Sequence, residues 1–469
     1  MRQLSVLCAL LLLVAPAAAQ RAPDAPAGEG PTNVILMIPD GFGPASVTMA
    51  RDYLHWRDGT RELPYDSLHV GSTRTFSSTS RITDSAAGGT ALATGTKTYD
   101  GAIAVDTSER PVGTILEGAE RRGLATGLVA TSRITHATPA VFSAHVADRD
   151  LENEIARQQL TQDIEVLLGG GRRHFLPETM AGSARTDERN LLDAAQRKGY
   201  RVVETADQLA QVNGGPLLGL FSDGHMAYEI DRDPTRQPSL ATMTETAIDL
   251  LSDEEAGYFL MVEGSRIDHA GHANDAASHL HDILAFNEAV KTALNAANQD
   301  GNTLVVIVSD HETGGLTLGR NRNGEGIYAW HPDRLADPTA SSAAIADSVR
   351  ALRASGADSA AVARRVAATV RRLTGVPSVS DERVRRLLSV EGPYTLGRAV
   401  SPVTNRHALV GWTSHAHTAV DVGLYAYGPG ANRFVGNHDN TYVGRTLADL
   451  LGVNLGRLTR QIRADATSE

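Results

Sequence analysis

Beyond Cys8 the chain contains no cysteine. Structural disulfides are thereby excluded for the rest of the protein, so a large core, with bound metals as candidates to help it, must hold the fold. Positive charge is also in deficit. Against 55 acidic residues stand 44 Lys and Arg, giving a net charge of −11. That disfavours a nucleic-acid binder, which would carry a basic footprint, and no nucleic-acid-binding surface is expected. An anionic substrate remains open, because an arginine or a metal can reverse the field within one site. After the first residues no apolar run is long enough to cross a membrane.

Several catalytic signatures are missing as well. No serine sits in G-x-S-x-G, so a nucleophile elbow is unsupported. The phosphate-cradling pattern G-x-x-x-x-G-K-[ST] is absent, and "GTKT" (95–98) breaks it. There is no H-E-x-x-H. "GFGPAS" (41–46) is a truncated glycine pattern that argues only weakly for a dinucleotide.

What is present is ordinary for a globular protein: 469 residues, 42% hydrophobic and 21% charged. This length suits one large α/β domain with insertions, or two to three average domains. The first 20 residues have the form of a secretory signal: Arg2, an apolar stretch from Leu4 to Val14, then small residues. They predict a periplasmic or extracellular protein, with Cys8 removed. Residues 21–30, "RAPDAPAGEG", read as a flexible leader.

Short continuous apolar runs then recur, bounded by breakers: "NVILMIPDG" (33–41), "ATGLVATS" (125–132), "EVLLGGG" (165–171), "GYFLMVEG" (257–264) and "NTLVVIVSD" (302–310). Such runs fit strands buried on both faces of a parallel sheet. Amphipathic stretches at 112–123, 238–252 and 277–297 predict intervening helices. The alternation predicts an α/β sandwich around a mostly parallel sheet. Residues 321–411 differ. They hold an Ala/Arg/Ser-rich segment of helical period (340–375) and read as an inserted helical subdomain. The catalytic α/β domain would then comprise 31–320 and 412–460, with a strand in "VDVGLYAYGPG" (420–430) and a helix over 441–452.

In open parallel sheets, ligands bind beyond the carboxyl ends of the strands. Those ends carry oxygen and imidazole groups here. Asp40 follows the first run, and Asp310 and His311 the last. Glu263, Asp268, His269 and His272 follow "YFLMV", and His136 and Thr138 lie in "THATPA". An aspartate after a strand is ordinarily a turn or cap residue. Several such ends meeting in one crevice would gather negative charge that only cations neutralise. Mixed Asp/His donors suit Zn2+, and carboxylate with hydroxyl suits Mg2+. Asp268 and His272 stand one helical turn apart. His415 and His417 are both candidates for a further ligand, and their spacing does not choose between them. In "TDSAAGGTA" (83–91), Asp84 or Ser85 reads either as a helix N-cap or, for Ser85, as a nucleophile. No histidine base is near in sequence, but a metal could activate the hydroxyl.

Together these motifs resemble the alkaline phosphatase family. Asp84-Ser85-Ala86-Ala87 matches its nucleophile motif, and "PDGFG", "THATPA", "HVADRD", "VEGSRIDHAGH", "SDHETGG" and "HTAVDV" follow in family order. The resemblance implies an alkaline-phosphatase-like three-layer sandwich and hydrolysis of small phosphate monoesters through phosphorylated Ser85. It implies two Zn2+ and one Mg2+ per subunit. One zinc would be held by Asp268, His272 and His417. The other would be held by Asp40, Asp310 and His311. The Mg2+ site would be shared by Asp40 and completed by Thr138 and Glu263. Arg149 is implied as the phosphate clamp, with Asp84, His136 and His269 surrounding the site. A homodimer is also implied, although no interface signature marks the sequence. A phosphodiesterase of the same superfamily is the nearest alternative, and a non-catalytic phosphate-binding protein a more distant one. An intact Ser85 beside Arg149 disfavours the latter.

Overall fold

The computed structural model describes residues 30–321 and 324–465. The expected signal, and all of the leader except Gly30, lie outside the described residues. Ten strands form the central sheet: β1 (Asn33–Ile38), β2 (His69–Arg74), β3 (Ala125–Arg133), β4 (Val166–Gly170), β5 (Arg201–Val203), β6 (Leu217–Leu220), β7 (Tyr258–Glu263), β8 (Thr303–Val308), β9 (Val422–Tyr427) and β10 (Gly436–Asp439). Their order is β10-β2-β9-β8-β1-β7-β3-β4-β6-β5. All neighbours are parallel except β9, which runs antiparallel to both β2 and β8.

The continuous apolar runs follow from burial on both faces. Val34, Leu36 and Ile38 of β1 join one apolar cluster with Leu304, Val306 and Val308 of β8. Ile35, Met37, Val305 and Ile307 point the opposite way into a second cluster. Successive side chains of a strand alternate in direction, so two cores require two interleaved apolar sets. Each such side chain contributes roughly 1.5–3 kcal/mol on burial. Helices Ser85–Thr94, Ala137–Ser143 and Asn440–Leu450 cover the first face, and Leu240–Leu251 and Ala276–Asp300 the second. This is the three-layer α/β architecture that the alternation predicts.

Residues 342–408 form five helices: Ser342–Arg353, Ser359–Thr374, Asp381–Ser389, Pro393–Val400 and Pro402–Ala408. The first four share an apolar cluster of their own, built on Ile345, Val349, Val366, Val370, Leu387 and Leu396. Leu335, Ala408 and Val410 instead pack into the second core of the sheet. No helix among the described residues is long and apolar enough to cross a membrane.

One half-buried carboxyl beside the first core sets a pH dependence. Burial raises Glu120 to about 8 from an ordinary 4.5, and the charges of Glu117 and Glu165 add to the rise. Its proton is retained on folding but lost by the unfolded chain between those two pH values. Its contribution to stability is therefore complete below about pH 4.5 and falls as pH rises towards 8, by up to roughly 1.4 kcal/mol per unit. Glu120→Gln keeps an oxygen for the Thr126 hydroxyl, which donates to it at 3.3 Å. The variant is expected to melt higher than the parent at pH 8, by roughly 1–3 kcal/mol, and to match it at pH 4. Thermal melts across that range check this.

Candidate active site and metal centre

Strands β8, β1, β7 and β3 are immediate neighbours and mutually parallel, so their carboxyl ends lie side by side. Residues far apart in sequence thus meet above four adjacent strands. Glu263 is the last residue of β7 and is in register with Ile38 and Ala130. Asp40 follows β1 through a tight turn at Gly41, whose φ is +72°. A Cβ there would lie 2.7 Å from the Asp268 Cα, so only glycine lets this turn press against the Asp268 helix.

Three groups of donors converge. Asp268, His272 and His417 form one; Asp40, Asp310 and His311 a second; Asp40, Glu263 and His136 a third. Within each group the donor atoms lie within 4.8 Å of one another. Thr138 stands beside the third group, its Oγ1 donating to Asp40 Oδ2 at 3.5 Å. The structure therefore brings together all eight metal-ligand candidates, with Asp40 common to two groups. His136 offers a donor to the third group alongside Thr138, whereas the sequence places it only among the surrounding residues.

The first group is built by hydrogen bonds on the far side of each ring. Asp268 and His272 occupy one face of helix Arg266–His272. His272 Nδ1 lies 2.7 Å from the His415 carbonyl, and His417 Nδ1 lies 2.8 Å from the Thr83 carbonyl. Each Nδ1 donates to its carbonyl, which leaves Nε2 as a free lone pair. Those two Nε2 atoms point at each other, 3.0 Å apart. Burial holds His417 down at about 4, so the ring stays neutral at neutral pH. His415 turns away, its Nδ1 3.0 Å from the His272 carbonyl. Of the two histidines, the donor group therefore includes His417 and not His415.

The carboxylates of the second and third groups are wholly buried, beside buried His311 and half-buried His136. Asp40 Oδ1, Asp310 Oδ2 and Glu263 Oε1 have no hydrogen-bond partner. Burial drives Asp40 well above the usual carboxylate range, and the charges of Asp310, Asp268 and Glu263 push it further. Burial likewise takes Glu263 to about 8. For Asp310 burial acts upward, but the charge of the His311 ring, its Nε2 3.2 Å from Asp310 Oδ2, outweighs it and brings it to about 2. Unpartnered buried carboxylate oxygens are costly unless a cation supplies the missing charge. Their donor chemistry fits: imidazole with carboxylate for zinc, carboxylate oxygens with the Thr138 hydroxyl for magnesium.

Ser85 opens helix Ser85–Thr94, every residue of which is buried. Ser85 Oγ lies 3.1 Å from His311 Nε2, at the edge of the second group. Asp84 caps the helix, accepting from the Ala87 amide at 2.9 Å. Its other oxygen accepts from the Gly101 amide at 3.0 Å and from Arg149 at 2.9 Å. Arg149 also reaches His136 Nε2, at 3.1 Å. The two readings of this stretch thus fall on separate residues: Asp84 caps the helix and holds Arg149, and Ser85 faces the donors. The tiny side chains admit close neighbours. A Cβ on Gly444 would sit 2.5 Å from the Leu92 carbonyl, so helix Asn440–Leu450 rests directly on the Ser85 helix.

Three residues that sequence reasoning passes over also belong here. Thr313 Oγ1 donates to Asp268 Oδ1 at 2.5 Å and lies 3.3 Å from His311 Nδ1, linking the first two groups. Its position two residues after His311, on an extended segment, was the available signal. His225 packs against His269 and His136, with ring centroids at 4.3 and 5.3 Å. It follows β6, and the same strand-end rule reaches it. The Thr83 carbonyl that orients His417 has no side-chain signal at all. His269 is half-buried, its Nδ1 enclosed without a hydrogen-bond partner.

Known proteins resemble the chain over nearly its whole length. The family model described as alkaline phosphatase matches residues 31–453. The repressible alkaline phosphatase of Saccharomyces cerevisiae is 40% identical over 475 residues, covering 92% of this chain and 83% of the relative. The alkaline phosphatase of Schizosaccharomyces pombe is 38% identical, covering 93% and 84%. The crystal structure of a cold-active alkaline phosphatase from Shewanella sp. superposes with a TM-score of 0.79 at 36% identity, covering 89% of this chain and 99% of that one. With nearly the whole chain matched and the fold shared, the protein belongs to the alkaline phosphatase family and is a phosphatase.

Proposed function

We propose that the protein hydrolyses small phosphate monoesters through a phosphoserine at Ser85. The observation that carries this is Ser85 Oγ at the start of a buried helix, 3.1 Å from His311 within a nest of unpartnered carboxylates. The first group would hold one Zn2+, the second another, and the third a Mg2+. Bound there, these ions would supply the positive charge that favours deprotonated serine and water and that offsets charge on the leaving oxygen.

The chain's own residues do the rest. Ser85 gives up its proton, its oxygen bonds phosphorus, and the P–O bond to the alcohol breaks as that oxygen takes up a proton. Water then adds to phosphorus, the Ser85–phosphorus bond breaks, and inorganic phosphate leaves. Arg149, already aimed by Asp84, offers its planar fork to two non-bridging oxygens, and the helix N-terminus adds its dipole. These contacts all go to the phosphoryl group, so the alcohol portion is weakly selected. The family match favours a monoester over the diester alternative. The form of residues 1–20 supports a periplasmic or extracellular location.

Parallel turnover of p-nitrophenyl phosphate and bis-p-nitrophenyl phosphate, with Zn2+ and Mg2+ present, tests the reading. Preferred hydrolysis of the monoester is expected. Preference for the diester points to a phosphodiesterase, and tight phosphate binding without turnover to a binding protein.

A further inference from the structure

The region of residues 376–409 concentrates positive charge that the reaction above does not use. Three adjoining cavities of ≈ 780, 280 and 190 Å³ share Pro402 and Arg406 in their walls. Arg320, Arg383, Arg386 and Arg398 line one or more of them, and Glu382 is the single acidic residue in those walls. Among the described residues none of the five arginines forms an ion pair with a carboxylate, although the chain as a whole is acidic. Arg383 donates only a long bond, at 3.5 Å, to the Ala399 carbonyl. Burial holds Arg383 below its ordinary value, and the like charges of Arg406 and Arg386 press the same way. Arg398 stacks on Tyr394, 4.1 Å from its ring. Arg386 and Arg406 are exposed at the mouth of the cleft, whereas the half-buried Arg133 is matched by Glu152 at 2.6 Å. Unmatched arginines facing one another repel, and an anion held between planar forks relieves that repulsion.

This cleft adjoins the candidate active site. Arg398 Nε donates to the His272 carbonyl at 3.2 Å, and His415, in the same cavity wall, exchanges two contacts with His272. The backbone that suspends a donor of the first group is therefore also the near wall of the arginine cleft. His272 thus stands between the first donor group and the cleft.

We propose that the arginine cleft binds further phosphate groups of the substrate, so that phosphate esters carrying two or more phosphates are preferred over those with one; this rests on the phosphomonoesterase reading of the Ser85 site. The phosphoryl group to be transferred sits at Ser85 while a second phosphate, remote from the reacting bond, pairs with Arg386 and Arg406. Nucleoside polyphosphates, polyol polyphosphates and inorganic polyphosphate chains share that chemistry. The remote pair acts on binding, not on the bond being broken, so it is read in KM.

The test is an Arg386→Ala/Arg406→Ala double variant with Zn2+ and excess Mg2+. Arg398 is left alone because it touches His272. Turnover is measured on p-nitrophenyl phosphate, a nucleoside triphosphate, inositol hexakisphosphate and inorganic tripolyphosphate. Activity on p-nitrophenyl phosphate is expected to stay within about twofold of the parent. At least one polyphosphorylated substrate is expected to lose about tenfold or more in kcat/KM, through KM, with the loss shrinking as salt rises. The arm that falls furthest names the scaffold. Equal kcat/KM in every arm, or an equal fall in all four, overturns the proposal. A parent protein that turns over none of the four defeats the phosphomonoesterase reading instead. Calorimetric titration with tripolyphosphate then still reads the cleft: binding lost in the double variant upholds it, and no binding to the parent overturns it.

Discussion

Ser85→Ala is expected to lower kcat for p-nitrophenyl phosphate by on the order of 10⁴-fold or more, with folding intact. The fold should tolerate the change because Asp84, not Ser85, caps the helix, and the Ser85 side chain bonds only the His311 ring. The helix already begins with two alanines after Ser85, so a third small residue there disturbs no packing. Acid quenching of the parent during turnover of labelled substrate should trap phosphate on Ser85, and the variant should trap none. Trapped label that survives the substitution moves the nucleophile to another residue. Loss of trapping together with a lower melting temperature assigns Ser85 a structural part as well, which the Asp84 cap argues against.

Chelation should have a comparably large effect, on both activity and stability. The three donor groups gather Asp40, Glu263, Asp268 and Asp310 in a buried space, with an oxygen of each of Asp40, Glu263 and Asp310 receiving no hydrogen bond among the described residues. Ions that bind only the folded chain stabilise it by about 4 kcal/mol for each site at a thousandfold excess over Kd. EDTA dialysis should therefore abolish turnover and lower the melting temperature, and Zn2+ with Mg2+ should restore both. Activity that persists after the metal content has been shown to be nil would sink the metal assignment. Asp310→Asn separates the two effects. It removes one charge from the second group, and so should weaken zinc retention there while sparing the group around Asp268.

Much of this architecture is legible in the chain before any coordinates. The five apolar runs become β1, β3, β4, β7 and β8 because strands buried on both faces admit little but aliphatic residues. Strands β2, "HVGSTR", and β10, "GNHD", escape notice, since their polar composition gives no period and only pairing makes them strands. The apolar run of β9 is visible, but its direction is not, because an apolar segment reads alike both ways and β9 alone is antiparallel. The site divides in the same manner. Residues that follow strands announce themselves by position, as Asp40, Asp310 and His311 do. Residues that orient them do not. The inward turn of the His417 ring depends on a carbonyl 334 residues away, and no local pattern carries that information. The resemblance to a family assigns His417, and the hydrogen bond explains why.

The donors of the first group come from two distant places in the chain: a helix at 266–272, and His417, which lies 145 residues beyond His272. Ribosomes deliver a polypeptide from its N-terminus, so carboxylates at 40, 263, 268 and 310 all emerge before the imidazole that completes this group. A nascent or truncated chain can gather part of the acidic cluster but cannot close it. The ion proposed for this group would therefore be captured late, once residue 417 has been translated and His417 has folded against His272.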